Sequence, residues 1–210
     1  MRSRGLLVVA ALGLAACSGD GSGDGSGDGS GSGSGAVTPA TPSAPVTDLA
    51  EAVPMAPAGY AAIDGRSRSF DLDEYTAELS IAPEADRVVM QRAGFRRGLV
   101  RAWTRAEGGT AVTVYVFEFA DAAGAAAMQE HFVADGRELL QAEGFEVAGL
   151  AGAEGASYDR GTPAAPTRVH AVYLTAGPLF YNVLASHLDT SAGPEVAVEF
   201  ARLAAAAAPR

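Results

Sequence analysis

The spacing of apolar and polar positions changes along the chain, and each change predicts an element. Asp71 to Leu79 reads as a helix, with Asp71 as N-cap and Asp73 and Glu74 at its positive end. A second helix is expected from Pro83, a favourable first-turn residue, to Ala93, where Gly94 stops it. Arg97 to Arg105 reads as extended and leads into a turn at Glu107-Gly108-Gly109. Thr110 to Phe119 is the clearest strand, β-branched and aromatic throughout. Val112, Val114 and Val116 alternate with Thr113, Tyr115, Phe117 and Phe119, so both faces are largely apolar. A strand buried on both faces belongs in the middle of a sheet.

Asp121 is placed to cap the longest helix, expected to reach about Glu143 before Gly144. Ala125, Met128, Phe132, Gly136 and Leu139 form its apolar stripe, and Gly136 allows close approach to a sheet or a kink. A glycine-rich passage, Gly149 to Gly155, precedes a short extended piece around Ala156-Ser157-Tyr158. Arg168–Thr175 and Leu179–Leu188 predict a hairpin about Ala176-Gly177-Pro178. Pro194 opens a closing helix to about Ala208, with Val196, Phe200 and Leu203 inward. This order predicts an α+β fold: an antiparallel β-sheet with helices packed on it, in one globular domain over 48–210.

The first 47 residues follow other rules. Arg2 and Arg4 precede an apolar run from Leu6 to Leu14, the charged start and short core of an export signal, too short to span a bilayer. It ends in Leu14-Ala15-Ala16-Cys17, which resembles the lipobox of bacterial lipoproteins. The resemblance implies a leader over 1–16, removed before Cys17, and a diacylglyceryl group on the Cys17 thiol. The alternative is an ordinary secretory signal in which Cys17 is an incidental small residue; no other Cys occurs in the chain. From Ser18 to Gly35 the chain repeats Ser-Gly-Asp-Gly and then Ser-Gly, with no apolar side chain to offset ordering entropy. Ala36 to Pro45 turns to Thr, Pro, Ala and Ser, stiffening towards polyproline II. Residues 17–47 are therefore expected to be a lipidated Cys and a disordered linker with a mean reach on the order of 30 Å. Asp20, Asp24 and Asp28 read as solubilising charges, because calcium-binding repeats space their ligands differently and carry apolar residues.

Composition sharpens this picture. The chain of 210 residues carries a net charge of −10, which argues against nucleic-acid binding and against attraction to anionic headgroups. The lipid on Cys17 is then the expected membrane attachment, on the outer face of the cytoplasmic membrane or, in a diderm organism, the outer membrane. Every basic residue is Arg, and Asn182 is the single Asn. Without Lys no P-loop of the usual kind is possible, and neither His-Glu-x-x-His nor Gly-x-Ser-x-Gly occurs. From Arg97 to the end, the strand, Phe119-Ala-Asp-Ala-Ala-Gly124, helix, glycine-rich loop and hairpin together resemble small uncharacterised actinobacterial lipoproteins, a likeness that brings no catalytic residue with it.

Three features carry candidate chemistry. Arg97, Arg101, Trp103 and Arg105 share a strand face, where guanidinium groups stacked on the indole would recognise carboxylate, phosphate or an acidic partner. The alternative is an edge strand guarded by Arg with a half-buried Trp. His170 and His187 fall on one face of the last hairpin, beside Val172, Val183 and Tyr181. They are weak metal candidates with Asp189, being expected roughly 7–14 Å apart along the sheet. His131, with Glu130 and Asp135 nearby, reads as a surface His near carboxylates. No cofactor is implied. The expected function is a non-catalytic extracytoplasmic module that binds a small ligand, a wall component or a protein partner. The alternative is a carboxylate-based hydrolase of the cell envelope, which a buried carboxylate pair beside a pocket would favour.

Overall fold

The computed structural model describes residues 45–46, 48–105, 107 and 109–209. The expected leader, Cys17 and nearly all of the expected linker lie outside the described residues.

Eight antiparallel strands form one sheet. They are β1 (Tyr60–Ala62), β2 (Arg68–Phe70), β3 (Phe95–Arg105), β4 (Thr110–Phe119), β5 (Glu143–Phe145), β6 (Glu154–Thr162), β7 (Ala165–Ala176) and β8 (Leu179–His187). Four helices complete the domain: α1 (Leu72–Glu78), α2 (Pro83–Arg92), α3 (Ala122–Leu139) and α4 (Glu195–Ala207). The strand order is β1-β3-β4-β8-β7-β6-β5, with β2 also paired to β3. This is the expected α+β architecture, and β4 sits inside the sheet between β3 and β8.

The two-faced pattern of β4 explains the layering. Val112, Val114 and Val116 turn to one side with Val172, Tyr181 and Val183, where α4 buries Ala197, Phe200, Ala201 and Ala204 against them. Phe117 and Phe119 turn to the other side with Ala171, Tyr173 and Phe180, under Tyr75 of α1, Met90 of α2 and Met128 of α3. Each layer hides apolar surface that neither face of the sheet could leave in water.

Local signals fix the helix ends. Asp71 accepts the Glu74 N–H at 2.9 Å while Glu74 accepts the Asp71 N–H at 3.0 Å, a reciprocal capping box. Asp121 accepts the Gly124 N–H at 2.9 Å and starts α3 as expected. Gly94, at φ 71°, ends α2 in the left-handed conformation that glycine adopts without strain. At Gly98 the constraint is space: a Cβ would stand 2.1 Å from the Phe70 ring, which lies flat over the glycine.

Three strands run longer than expected, β3 from Phe95, β6 over Glu154–Thr162 and β7 over Ala165–Ala176, and one helix runs shorter. The long helix stops at Leu139 rather than near Glu143, and Leu139 is exposed rather than part of the buried stripe. Gln141 turns left-handed at φ 52°, and Glu143–Phe145 pairs with β6 as an edge strand. The Phe145 ring occupies the space over Gly155, where a Cβ would be 2.4 Å from it. Packing of Phe145 on the sheet thus outweighs continuation of the helix. The described residues contain no helix long and apolar enough to cross a membrane.

Candidate functional site

One row of the sheet crosses six strands on the side of α1–α3. Its residues, in register, are Arg68, Val100, Tyr115, Asn182, Tyr173 and Glu154. Tyr115 and Tyr173 flank Asn182 in this row. These three line an open cleft of about 120 Å³. Its floor is Tyr115, Asn182, Tyr173 and Leu184; Tyr75 and Phe132 close it from the helices, and Tyr158 and Arg160 from β6. A broader depression of about 390 Å³ shares Tyr115 and Leu79 with the cleft and is rimmed by Arg66, Arg68 and Glu78.

The cleft is polar in a particular way. Asn182 is 7% exposed, and its side-chain carbonyl oxygen has no hydrogen-bond partner among the described residues. A buried acceptor left unpaired costs about 1–3 kcal/mol, so the fold carries this group at a loss unless something supplies a donor. Burial pushes the hydroxyls of Tyr75, Tyr115, Tyr158 and Tyr173 above the ordinary tyrosine value. At Tyr115 the guanidinium groups of Arg160, Arg66 and Arg68 oppose that rise. All four phenols therefore stay protonated at neutral pH and can donate as well as accept.

A carboxylate network forms the helix wall. Asp86 of α2 is 2% exposed. Its Oδ2 accepts from the Tyr75 hydroxyl at 3.2 Å and the Ser80 hydroxyl at 2.5 Å. Its Oδ1 lies 2.7 Å from Nε2 of His131 on α3. Asp135, one turn further along α3, approaches the same nitrogen at 3.5 Å. The hydrogen bond to Asp86 holds the His131 pKa above the ordinary value, and burial raises that of the Asp135 carboxyl. Both Asp86 and Asp135 line the cleft. His131 is thus a bridge between carboxylates from two helices, where its sequence context suggested only surface neighbours.

The residues singled out in the sequence lie elsewhere. Trp103 is 7% exposed and packs into the α4 layer, its ring 5.6 Å from that of Phe200. The expected guanidinium stack on the indole gives way to this aromatic contact, because Trp103 lies on the same side of the sheet as Phe200 of α4. Arg105 stands 6.0 Å over the Tyr60 ring, and Arg101 is half-buried. Arg97 donates through Nε to the fully buried Glu118 at 2.7 Å and through Nη2 to the Val46 carbonyl. Glu118 also accepts the Val46 N–H at 2.7 Å, so this ion pair grips the chain where the domain begins.

His170 and His187 are closer than expected, with ring centroids 5.6 Å apart. The reason is register: His187 pairs with Arg168 and His170 with Ala185, a diagonal separation of two residues. Both nitrogens of His170 are occupied, Nδ1 by the Ser157 hydroxyl at 2.7 Å and Nε2 by the Ala192 carbonyl at 2.8 Å. In His187 the Thr110 hydroxyl meets Nδ1 at 3.2 Å, while Nε2 is buried without a partner among the described residues. Among the described residues the pair is joined by no third metal-ligating side chain within reach.

Sequence reasoning missed the cleft. Asn182, the single Asn of the chain, was its most accessible signal, since an amide amid the apolar residues of β8 has no reason to be there for packing alone.

No family model and no curated protein matches the sequence. A solved structure that matches is the extracellular domain of PknH from Mycobacterium tuberculosis, at 11% identity and a TM-score of 0.46, covering 70% of this chain and 80% of that one.

Proposed function

We propose that this chain is a lipid-anchored extracytoplasmic binding domain, and that its ligand occupies the tyrosine-lined cleft between α1–α3 and the sheet. The observation that carries the reading is the buried, unpartnered acceptor of Asn182 between Tyr115 and Tyr173. An open cleft with aromatic walls, a few convergent polar groups and Arg160 at its mouth has the make-up of a small-molecule site. The amide and phenols would orient the ligand, and the rings would supply apolar contact. The export signal and the Leu14-Ala15-Ala16-Cys17 motif support the anchor, and the Gly/Ser/Asp segment supports a tether that keeps the cleft clear of the membrane.

A second reading, a carboxylate-based hydrolase, draws support from Asp86 and Asp135 in the cleft wall. It is the weaker one, because Asp86 already accepts from Tyr75 and Ser80 and contacts His131. A general acid or base needs a lone pair or proton within reach of substrate.

Native mass spectrometry on the chain from residue 17 onward, carrying Cys17→Ser and purified from its own host, tests both. Added mass that leaves on denaturation supports ligand capture. Added mass that converts to smaller fragments on standing supports the hydrolase. A clean apo mass counts against a tight-binding cleft.

A further inference from the structure

The polar network of the helix wall has a donor set beyond what packing requires. One donor atom each from Asp86, His131 and Asp135 lies within 4.8 Å of the other two, with His131 Nε2 2.7 Å from Asp86 Oδ1 and 3.5 Å from Asp135 Oδ2. His131 and Asp135 are one helical turn apart on α3, so their side chains project together, and Asp86 arrives from α2 on the opposite side. We infer that these three side chains form a binding site for one divalent cation of the zinc class, open on its remaining side to the cleft.

Geometry supports the assignment. A tetrahedral ion about 2.1 Å from each donor holds them roughly 3.4 Å apart. The His131–Asp135 separation is already 3.5 Å, and the His131–Asp86 separation of 2.7 Å needs to open by less than an ångström. One neutral imidazole and two carboxylates form a borderline nitrogen–oxygen set that suits zinc better than calcium, which prefers six or more oxygens. An outer shell is in place as well. The Tyr75 and Ser80 hydroxyls hold the far oxygen of Asp86, and Ser80 is itself fixed by the Ala82 N–H at 2.9 Å. Partners of this kind orient metal-ligating carboxylates.

A second, independent observation points to an occupant. Asp86 and Asp135 line the same cleft as the buried, unpartnered Asn182 oxygen. The fourth ligand position would therefore face the cleft that Asn182 also lines.

The test uses the tag-free chain from residue 17 with Cys17→Ser, titrated with ZnCl₂ alone and, separately, with CoCl₂. The expected result is one equivalent of Zn²⁺ bound, and visible absorption of tetrahedral Co²⁺. Asp135→Asn should weaken binding by at least about tenfold, with the thermal midpoint of the metal-free protein nearly unchanged, since Asp135 is on the rim. His131→Gln is the companion variant, keeping a polar group against Asp86. Binding that is absent, or that persists unaltered in both variants, overturns the inference; the latter result would place the ion at donors other than these three.

Discussion

The two faces of the sheet are built from the same strands and do opposite things. On the α4 side, Val112, Val114, Val172, Val183, Ala197 and Phe200 are essentially inaccessible, and the layer is closed. On the side of α1–α3, the same strands present Tyr115, Asn182, Tyr173 and Leu184 to an open cleft. The parity of β4 and β8 separates the two: neighbours in sequence belong to different chemistries. Buried polar atoms without a partner among the described residues occur on both faces, Tyr181 Oη and His187 Nε2 on the closed one and Asn182 Oδ1 on the other, so what sets the second face apart is the open cleft above it. Asn182 and the Asp86 network lie on the open face.

The largest effect is expected on the closed face. Phe200→Ala removes a fully buried ring that contacts Tyr60 at 5.1 Å and Trp103 at 5.6 Å. Urea denaturation should show a loss of about 3–5 kcal/mol, while whatever ligand the folded fraction holds is retained. If the ligand is lost with stability intact, the two faces have been assigned the wrong way round.

Next comes the grip on Val46. Glu118→Gln turns a buried carboxylate into an amide beside Arg97 and should cost about 1–3 kcal/mol; the part-exposed Arg97 can regain water, which limits the loss. Limited proteolysis should cut faster at the start of the domain, with the cleft unaffected.

A smaller effect of unusual sign is expected at the cleft floor. Asn182→Leu removes the unpaired acceptor and should leave stability unchanged or raise it by up to about 1 kcal/mol, while abolishing ligand capture. A destabilisation of several kcal/mol would mean that Asn182 is paired and structural.

The smallest effect is a pH dependence at the hairpin. Burial, and then the nearby His170, hold the His187 pKa below 6.5, against the weaker pull of Asp189 and Glu195; the Thr110 hydroxyl also faces the ring. Above the ordinary histidine range both folded and unfolded chains carry a neutral ring, and the group contributes nothing to the pH dependence. As pH falls through 6.5, the unfolded chain takes a proton that the folded site resists, so stability drops until the lowered folded value is passed. The urea midpoint of wild type should fall relative to that of His187→Asn as pH drops through that window.

Much of the framework was legible because its signals are local. Asp71 and Asp121 announce caps within three residues, and the doubly apolar Thr110–Phe119 announces a central strand. The end of α3 was not legible, since it depends on Phe145 finding Gly155 on another strand. The cleft was harder still, being assembled from α1, α2, α3 and four strands. His131 and Asp135 could be paired from their spacing on one helix, but the third member, Asp86, comes from 45 residues away. Trp103 misled for a related reason: an Arg-rich strand looks like a binding face until the indole is known to pack against Phe200 of α4.

The division of labour between the faces is tested most directly by amide hydrogen exchange. The chain purified from its host would be compared with the same chain stripped by unfolding and refolding. Slower exchange in α1, α3, β6 and β7 of the host-purified protein, with α4 unchanged, is the predicted result. Protection centred on α4 and β1, or none anywhere, would contradict the assignment of the cleft as the ligand site.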